Sequence, residues 1–206
     1  LIQHIIKQRY FEEEISNEVN LNYSDNQVTV TTDYLTLVYT LNSEGYASQC
    51  VYSLSSQNRI YQFSYSAEGY LTGIVENIDN TEYSSTSLTY ENGDITSISS
   101  KMNGLENKFI YEPGEESSTY HLPCLGLLEI HPLTFHIEAL YAGLLGKDPR
   151  HFTIRSCPAG SNDEKTIYSY EFDKKGNPSR MICQTTYAGG QASYYPYTRN
   201  ISVSFE

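Results

Sequence analysis

The sequence predicts an all-β protein, an antiparallel β-meander curved into an open or half barrel, with one helix packed on its concave side. Three observations predict this fold: a two-strand unit recurs in the first half, tyrosine supplies 20 of the 206 residues, and one apolar segment with helical spacing interrupts the strands. Aromatic residues make up 13% of the chain and charged residues only 18%, which favours a folded chain over a disordered one. We expect residues 1–206 to form a single β-rich domain with a helical excursion at about 121–150.

The recurring unit aligns on three glycines, Gly45, Gly69 and Gly93, which are spaced 24 residues apart. A tyrosine precedes each glycine, and the flanking tyrosine, valine, isoleucine and threonine residues favour strands. Glycine tolerates the positive φ that a tight chain reversal needs. A period of this length holds two strands and two turns, so we expect the three glycines in turns at one edge of the sheet. Weaker copies of the unit occur around Asn26, Gly114 and Gly176.

Three strand segments, Tyr34–Leu41, Arg59–Tyr65 and Tyr83–Tyr90, carry apolar residues on one face and polar residues on the other. The apolar faces hold Leu35, Leu37, Tyr39 and Leu41 in the first, Tyr61, Phe63 and Tyr65 in the second, and Leu88 and Tyr90 in the third. This alternation is typical of an antiparallel sheet with one wet face. Later strands are expected at Thr166–Phe172, Ser179–Thr186 and Ser193–Phe205, the last one broken or bulged at Pro196.

One helix is predicted at about 132–145, because Leu133, Ile137, Leu140 and Leu144 recur at helical spacing. Pro132 suits the first helical position, and Gly146 suits the residue just past the end. An apolar helix face needs a partner, and the concave side of the sheet is the large apolar surface available. We therefore expect the sheet to wrap around this segment, with the four apolar residues buried against strand residues such as Leu37 and Phe63.

Composition and charge argue against two classes of function. The formal net charge of −12 repels phosphate backbones, which argues against nucleic-acid binding. No apolar run approaches the ~20 residues of a membrane helix, and serine tracts interrupt the apolar band that a transmembrane barrel needs. The chain is thus expected not to be a transmembrane protein. It begins at Leu1 rather than at methionine, which indicates a processed or truncated product.

Several segments resemble known families. The tyrosine, turn, glycine and aliphatic unit is similar to the YD repeats of bacterial surface proteins. The hairpin YSAEGYLTGI, the segment Tyr141–Lys147 (YAGLLGK) and the hairpin YEFDKKGNP resemble a family of Bacteroidetes cell-envelope proteins. That family is a domain of unknown function with a porin-like fold. The resemblance covers roughly residues 20–206 and implies a secreted protein of the periplasm or cell surface, often lipid-anchored, without established catalytic residues to transfer.

No catalytic or metal-binding pattern emerges from the sequence. His121, His131, His136 and His151 cluster around the predicted helix, but their spacing does not support metal ligation even with Glu129 and Glu138 nearby. There is no GxSxG motif, and the acidic runs Glu12–Glu14 and Glu115–Glu116 are expected to be solvated.

The four cysteines, Cys50, Cys124, Cys157 and Cys183, form no CxxC pair. They are interpreted as buried thiols or disulfides, with Cys124 and Cys157 the first pair to test. We expect no enzyme, metal or cofactor.

The tyrosines carry the functional prediction. Tyr39, Tyr65, Tyr90 and Tyr111 recur at one point of the hairpin, where cross-strand aromatic pairs explain them. Tyr187, Tyr194, Tyr195 and Tyr197 lie outside the repeats, close to glycines and to Pro196, and are the candidate ligand-binding residues.

The predicted function is a non-catalytic envelope protein that binds a glycan, a lipid or a protein partner. A structural or assembly factor at the outer membrane and a hydrolase are the alternatives. A cavity on the concave side would favour a small ligand or lipid. A fully plugged concave side with exposed tyrosines would favour a glycan or protein surface, and an acid/base pair in a cleft would favour the hydrolase.

Overall fold

The computed structural model describes residues 2–10, 13–32, 35–53, 57–117, 130–161, 163–172, 174, 178–186 and 192–203, with side chains described for most of 19–174. Within these ranges the chain forms fourteen strands and one short α-helix, α1 (Ile137–Tyr141). The strands are β1 Ile2–Tyr10, β2 Glu13–Ser24, β3 Gln27–Thr31, β4 Thr36–Leu41, β5 Ala47–Ser53, β6 Asn58–Tyr65, β7 Leu71–Ile78, β8 Thr81–Glu91, β9 Asp94–Met102, β10 Leu105–Ser117, β11 His151–Pro158, β12 Lys165–Phe172, β13 Pro178–Thr186 and β14 Ala192–Val203.

Each strand pairs antiparallel with its neighbours in sequence, which confirms the predicted meander. The twelve strands from β2 to β13 form a curved sheet that does not close by itself. Closure comes from β1 and β14, which pair with each other from His4 opposite Val203 to Arg9 opposite Thr198. The sequence predicts the meander and its curvature but not this closing pair.

Two of the repeated hairpin turns share one hydrogen-bond pattern. In the first, the Asn42 and Gly45 amides donate to the carbonyls of Tyr46 and Asn42. Ser66 and Gly69 repeat this arrangement 24 residues later, with Ser66 Oγ in the place of Asn42 Oδ1 as acceptor for the turn amides.

The third turn is shorter, because Asn92 and Gly93 both adopt positive φ, 53° and 89°, as in a two-residue hairpin. Gly45, Gly69 and Gly93 all follow even-numbered strands and lie in turns at one end of the barrel, as predicted. We call this end the glycine end. The weaker copy at Gly114 is different, since it lies inside β10 beside an irregular register rather than in a turn. Gly176 lies outside the described residues.

The predicted helix is largely replaced by irregular structure. A 3-10 turn covers Leu133–Phe135, α1 ends at Tyr141, and turns follow. The helix stops early because His136 breaks the helical backbone before α1 and Gly143 adopts a φ of 70° after it. Leu133, Leu140 and Leu144 are nevertheless buried in one cluster with Leu37 and Phe63, as predicted, while Ile137 is partly buried. The prediction was therefore right about the buried side chains and wrong about the helix length.

Residues 130–143, here called the plug, lie inside the barrel. Their buried side chains pack against inward-facing strand residues, among them Tyr39, Tyr61 and Ile98. A barrel of this many strands is wider than its own side chains can fill. The plug supplies the missing volume, which explains why an apolar segment interrupts a run of strands.

Residues 144–150, here called the strap, cross the glycine end of the barrel. The Leu144 carbonyl accepts from the Ala47 amide at 2.7 Å, and the Lys147 and Arg150 amides donate to the carbonyls of Gly69 and Gly93 at 2.9 and 3.0 Å. Three residues of extended chain span about 10 Å, the same as two gaps between neighbouring strands. The strap therefore meets one hairpin turn every three residues, in step with the repeat of two strands per 24 residues.

Candidate functional site

The most polar part of the interior is a buried carboxylate cluster made of Glu76, Arg59, His131 and Ser84. Glu76 projects inward from β7 near the end opposite the glycines, and its side chain is 0% exposed. Its carboxylate accepts from Arg59 Nη1 at 3.1 Å, from Ser84 Oγ at 2.8 Å and from His131 Nε2 at 2.6 Å. Arg59 and Ser84 belong to the barrel wall, whereas His131 begins the plug. The cluster thus joins the plug to the barrel.

The electrostatics of the cluster favour an ionised Glu76. Burial raises the pKa of this carboxyl group, but hydrogen bonds from His131 and Ser84 and the charges of His131 and Arg59 outweigh burial. The net pKa lies below the ordinary value. Glu76 is therefore a charged acceptor and not a proton donor at neutral pH.

Two aromatic rings flank the guanidinium of Arg59. Its carbon lies 5.9 Å from the centre of the Tyr83 ring and 6.0 Å from that of Phe135. The Arg59 and His131 side chains are 21% and 26% exposed, so this edge of the cluster reaches water. The His131 carbonyl also accepts from the hydroxyls of Thr86 and Ser100, at 3.1 and 3.2 Å. The start of the plug is therefore held through both its backbone and its side chain.

Deeper in the barrel, His136 is fully buried among aromatic rings. The ring centres of Tyr61, Phe63 and Tyr39 lie 4.4, 5.3 and 5.8 Å from that of the imidazole. The Tyr39 hydroxyl and His136 Nδ1 are 2.8 Å apart, and Nε2 has no hydrogen-bond partner among the described residues. Burial lowers the pKa of His136 to about 3, so the imidazole is neutral.

A second histidine–carboxylate pair lies at the glycine end. His151, the first residue of β11, places Nδ1 2.8 Å from Asp94 Oδ2, and its backbone amide donates to Asp94 Oδ1 at 2.7 Å. Asp94 directly follows the glycine of the third hairpin turn. The segment from His131 to His151 is thus anchored by a histidine and a barrel carboxylate at each end.

The chemistry that this arrangement can perform is limited. Glu76 already accepts hydrogen bonds from His131 of the plug and from Arg59 and Ser84 of the barrel wall, and its side chain is shielded from water. Asp94 is engaged by His151 at the start of β11. A general acid needs a raised pKa and access to substrate, and Glu76 has neither. The clusters therefore fix the position of the plug.

Among the described residues, the histidines and cysteines that the sequence brings into question do not assemble into a metal or thiol centre. His131, His136 and His151 lie in three separate environments, and no group of metal-ligating side chains occurs in the part of the chain that the structure describes. Cys50 is a buried free thiol and Cys157 a partly exposed one. Cys124, His121 and Glu129 lie outside the described residues, as does the side chain of Cys183.

The structure describes the side chains of several carboxylates considered in the sequence analysis, but not those of the candidate binding tyrosines. Glu115 and Glu116 are exposed on β10, as expected of solvated residues, while Glu138 is partly buried on α1. Of the candidate binding residues, Tyr187 lies outside the described residues. Tyr194, Tyr195 and Tyr197 lie in β14, but their side chains are outside the described part. Their binding role therefore stays a prediction.

Sequence analysis missed Glu76, although the signal was present. Glu76 lies two residues after Ile74, so the alternation of strand residues places both on one face. A carboxylate at an inward position needs a partner, and a histidine or arginine elsewhere in the chain could have been sought. That the partners are Arg59 and His131 follows only from the tertiary structure, since they are separated from Glu76 by 17 and 55 residues.

A closed antiparallel meander with a chain segment inside it defines a plugged barrel. The chain belongs to the family described as "Domain of unknown function (DUF4595) with porin-like fold", whose model matches residues 1–180. It is similar to a porin-like protein from Bacteroides uniformis ATCC 8492, with a TM-score of 0.82 and 25% sequence identity over 96% of this chain and 83% of that chain. A comparison with curated protein sequences gave no match. These matches confirm the resemblance stated from the sequence.

Helices give no sign of a membrane span. In the described ranges, none is long and apolar enough to cross a bilayer.

Proposed function

We propose that this protein is a non-catalytic component of the bacterial cell envelope that recognises a partner through its outer surface. The observation that carries the proposal is the filled interior. The plug occupies the concave side of the sheet, and its hydrogen bonds use the inward carboxylate Glu76. A filled interior favours a glycan or protein partner over a lipid or small molecule held inside. The porin-like neighbour from a Bacteroides species supports a place in the envelope.

The candidate contact residues are Tyr187, Tyr194, Tyr195 and Tyr197. Tyrosine combines an apolar face with a hydroxyl group, which suits stacking on sugar rings or packing against protein side chains. Three of the four lie in β14, which completes the barrel by pairing with β1. The proposal is that at least two of these rings lie side by side on the surface.

The experiment is a binding screen of the purified chain against an array of bacterial and host glycans and against solubilised envelope proteins. The variant Tyr194→Ser/Tyr195→Ser is compared with Tyr23→Ser, which alters a tyrosine on β2 that is 45% exposed. We expect the double variant to lose at least tenfold in affinity and the control to bind as the parent chain does. Equal binding by both variants would contradict the proposed site.

The alternative of a structural or assembly factor at the outer membrane predicts a different result. Loss of the protein would then weaken the envelope barrier, measured as sensitivity to detergent and to large antibiotics, and the double tyrosine variant would restore the barrier fully. A hydrolase would instead release product from one of the arrayed glycans.

A further inference from the structure

The strongest unassigned feature of the molecule is the neutral, fully buried histidine at the centre of the plug. His136 makes one side-chain hydrogen bond, to Tyr39, and its ring is otherwise enclosed by the rings of Tyr61, Phe63 and Tyr39. A second proton would place a positive charge there, and Nδ1 could then no longer accept a hydrogen bond. The charge would be stranded in apolar surroundings, which is costly.

The charged and titratable groups around His136 come from several elements. Glu76 on β7 favours its protonation, and His131 on the plug opposes it. Tyr39 on β4, Tyr61 on β6 and Cys50 on β5 are neutral, because burial raises the pKa of each. Burial also raises the pKa of Glu138 on α1. Among the described residues, the attraction of Glu76 favours the charged imidazole, but the Glu76 carboxylate is already paired with Arg59 and His131.

We propose that His136 makes the seating of the plug dependent on pH, so that acidification releases the plug from the barrel before the strands unfold. The strap and the plug are held in different ways, which supports a local release of the plug. The strap holds the glycine end through backbone hydrogen bonds, which do not titrate, whereas the middle of the plug depends on a neutral imidazole. Release would uncover the inward-facing residues of the barrel, and with them the carboxylate of Glu76.

The direction of the effect follows from the two protonation states. The pKa of His136 is about 3 in the seated plug and returns to 6.5 when the plug is released into water. A lowered pKa contributes stability above pH 6.5, and this contribution is lost as the pH falls towards 3. Between pH 7 and pH 5 the equilibrium for plug release should increase about 25-fold. Glu138 acts in the opposite direction, since its raised pKa favours the seated plug at low pH.

The test is hydrogen exchange followed by mass spectrometry between pH 7 and pH 5, corrected for intrinsic exchange rates. The reporters in the plug are the amides of Leu140, Ala142 and Gly143, which donate to plug carbonyls, and those in the barrel are the paired amides of β7 and β8. We expect the protection factors of the plug amides to fall about 25-fold between pH 7 and pH 5, while the amides of β7 and β8 stay protected. Unchanged plug protection, or equal loss in plug and strands, would overturn the proposal.

Variants assign the effect to His136. His136→Phe keeps a ring in the aromatic cage but cannot take up a proton, so its plug protection should not depend on pH over this range. His151→Gln, which alters the histidine paired with Asp94, should retain the full pH dependence. Glu138→Gln removes a group that opposes release at low pH and should leave the pH dependence at least as large. A pH response in His136→Phe equal to that of the parent chain would refute the assignment.

A measurement on the unaltered protein covers the case in which His136→Phe fails to fold. The chain has five histidines, and their imidazole proton resonances can be followed by NMR as the pH is lowered. We expect one resonance to keep its neutral shift down to the pH at which plug protection is lost and to change together with that loss. Five resonances that all titrate near pH 6.5 without loss of protection would overturn the proposal.

Discussion

Glu76 shows how one residue can join two parts of this molecule. Its carboxylate is the common acceptor for Arg59 and Ser84 on the barrel wall and for His131 on the plug. Hydrogen bonds to a buried charged group are stronger than those between neutral groups. The partly exposed Arg59 and His131 side chains lower the cost of bringing this charge into the barrel.

Glu76→Gln should destabilise the protein by about 2–3 kcal/mol at pH 7, because the bonds from Arg59 and His131 lose their charged acceptor. Glu112→Gln is the matched control, since Glu112 forms an exposed ion pair with Arg155 on the outer surface. An exposed pair contributes about 0–1 kcal/mol. Urea unfolding of both variants and the parent chain measures the difference, and an equal effect in the two variants would contradict the anchoring role of Glu76.

The contribution of Glu76 should also depend on pH in a defined direction. Its pKa is lower in the folded protein than in the unfolded chain, whose value is 4.5. The stability it provides is therefore complete above pH 4.5 and is lost as the pH falls through the folded pKa. We expect the difference between the parent chain and Glu76→Gln to shrink below pH 4.5. A constant difference would show that folding does not lower the pKa of this carboxyl group.

At the scale of elements, the strap depends on a residue without a side chain. Gly146 has a φ of +90°, and a Cβ added there would lie 2.6 Å from the carbonyl oxygen of Gly69 and 3.0 Å from the ring of Tyr65. That carbonyl accepts the hydrogen bond from the Lys147 amide. A side chain at position 146 would thus push the strap away from the second hairpin turn.

Gly146→Ala should destabilise the protein more than Gly143→Ala does. Gly143 also has a positive φ, of +70°, but a Cβ there would meet nothing within 4 Å. The control therefore shows the backbone strain alone, about 1–2 kcal/mol, and the difference between the two variants measures the contact with the hairpin turn. Thermal unfolding of both gives this difference, and equal midpoints would mean that the strap moves aside without cost.

The plug is the other element whose packing can be tested. Leu140→Ala should cost about 2–5 kcal/mol, the range for a buried leucine replaced by alanine, because Leu140 belongs to the cluster that contains Leu37 and Phe63. Thr134→Ala, a change at an exposed position six residues earlier, should stay within about 0.5 kcal/mol. If Leu140→Ala lowers the free energy of unfolding by less than about 0.5 kcal/mol, the Leu140 side chain faces water.

At the scale of the whole molecule, the barrel and the plug complete each other. The plug fills the barrel, and the inward faces of many strands bury their apolar residues against it. At pH 7 we therefore expect one cooperative unfolding transition, with far-ultraviolet circular dichroism of the strands and near-ultraviolet signals of the tyrosines changing together. Two separate transitions at pH 7 would show that the barrel is stable without the plug.

The sequence by itself determined the meander, because glycines at a fixed interval and alternating strand residues are local signals. It also determined which residues of the plug and of the start of the strap are buried, since Leu133, Leu140 and Leu144 share an apolar spacing that survives the loss of regular helix. The length of the helix was decided by tertiary contacts, because the strap must follow the spacing of the hairpin turns. Tertiary contacts also decided the pairing of β1 with β14 and the hydrogen bonds of Glu76 with Arg59 and His131. These contacts join residues distant in the chain, and their energy depends on burial that only the closed structure creates.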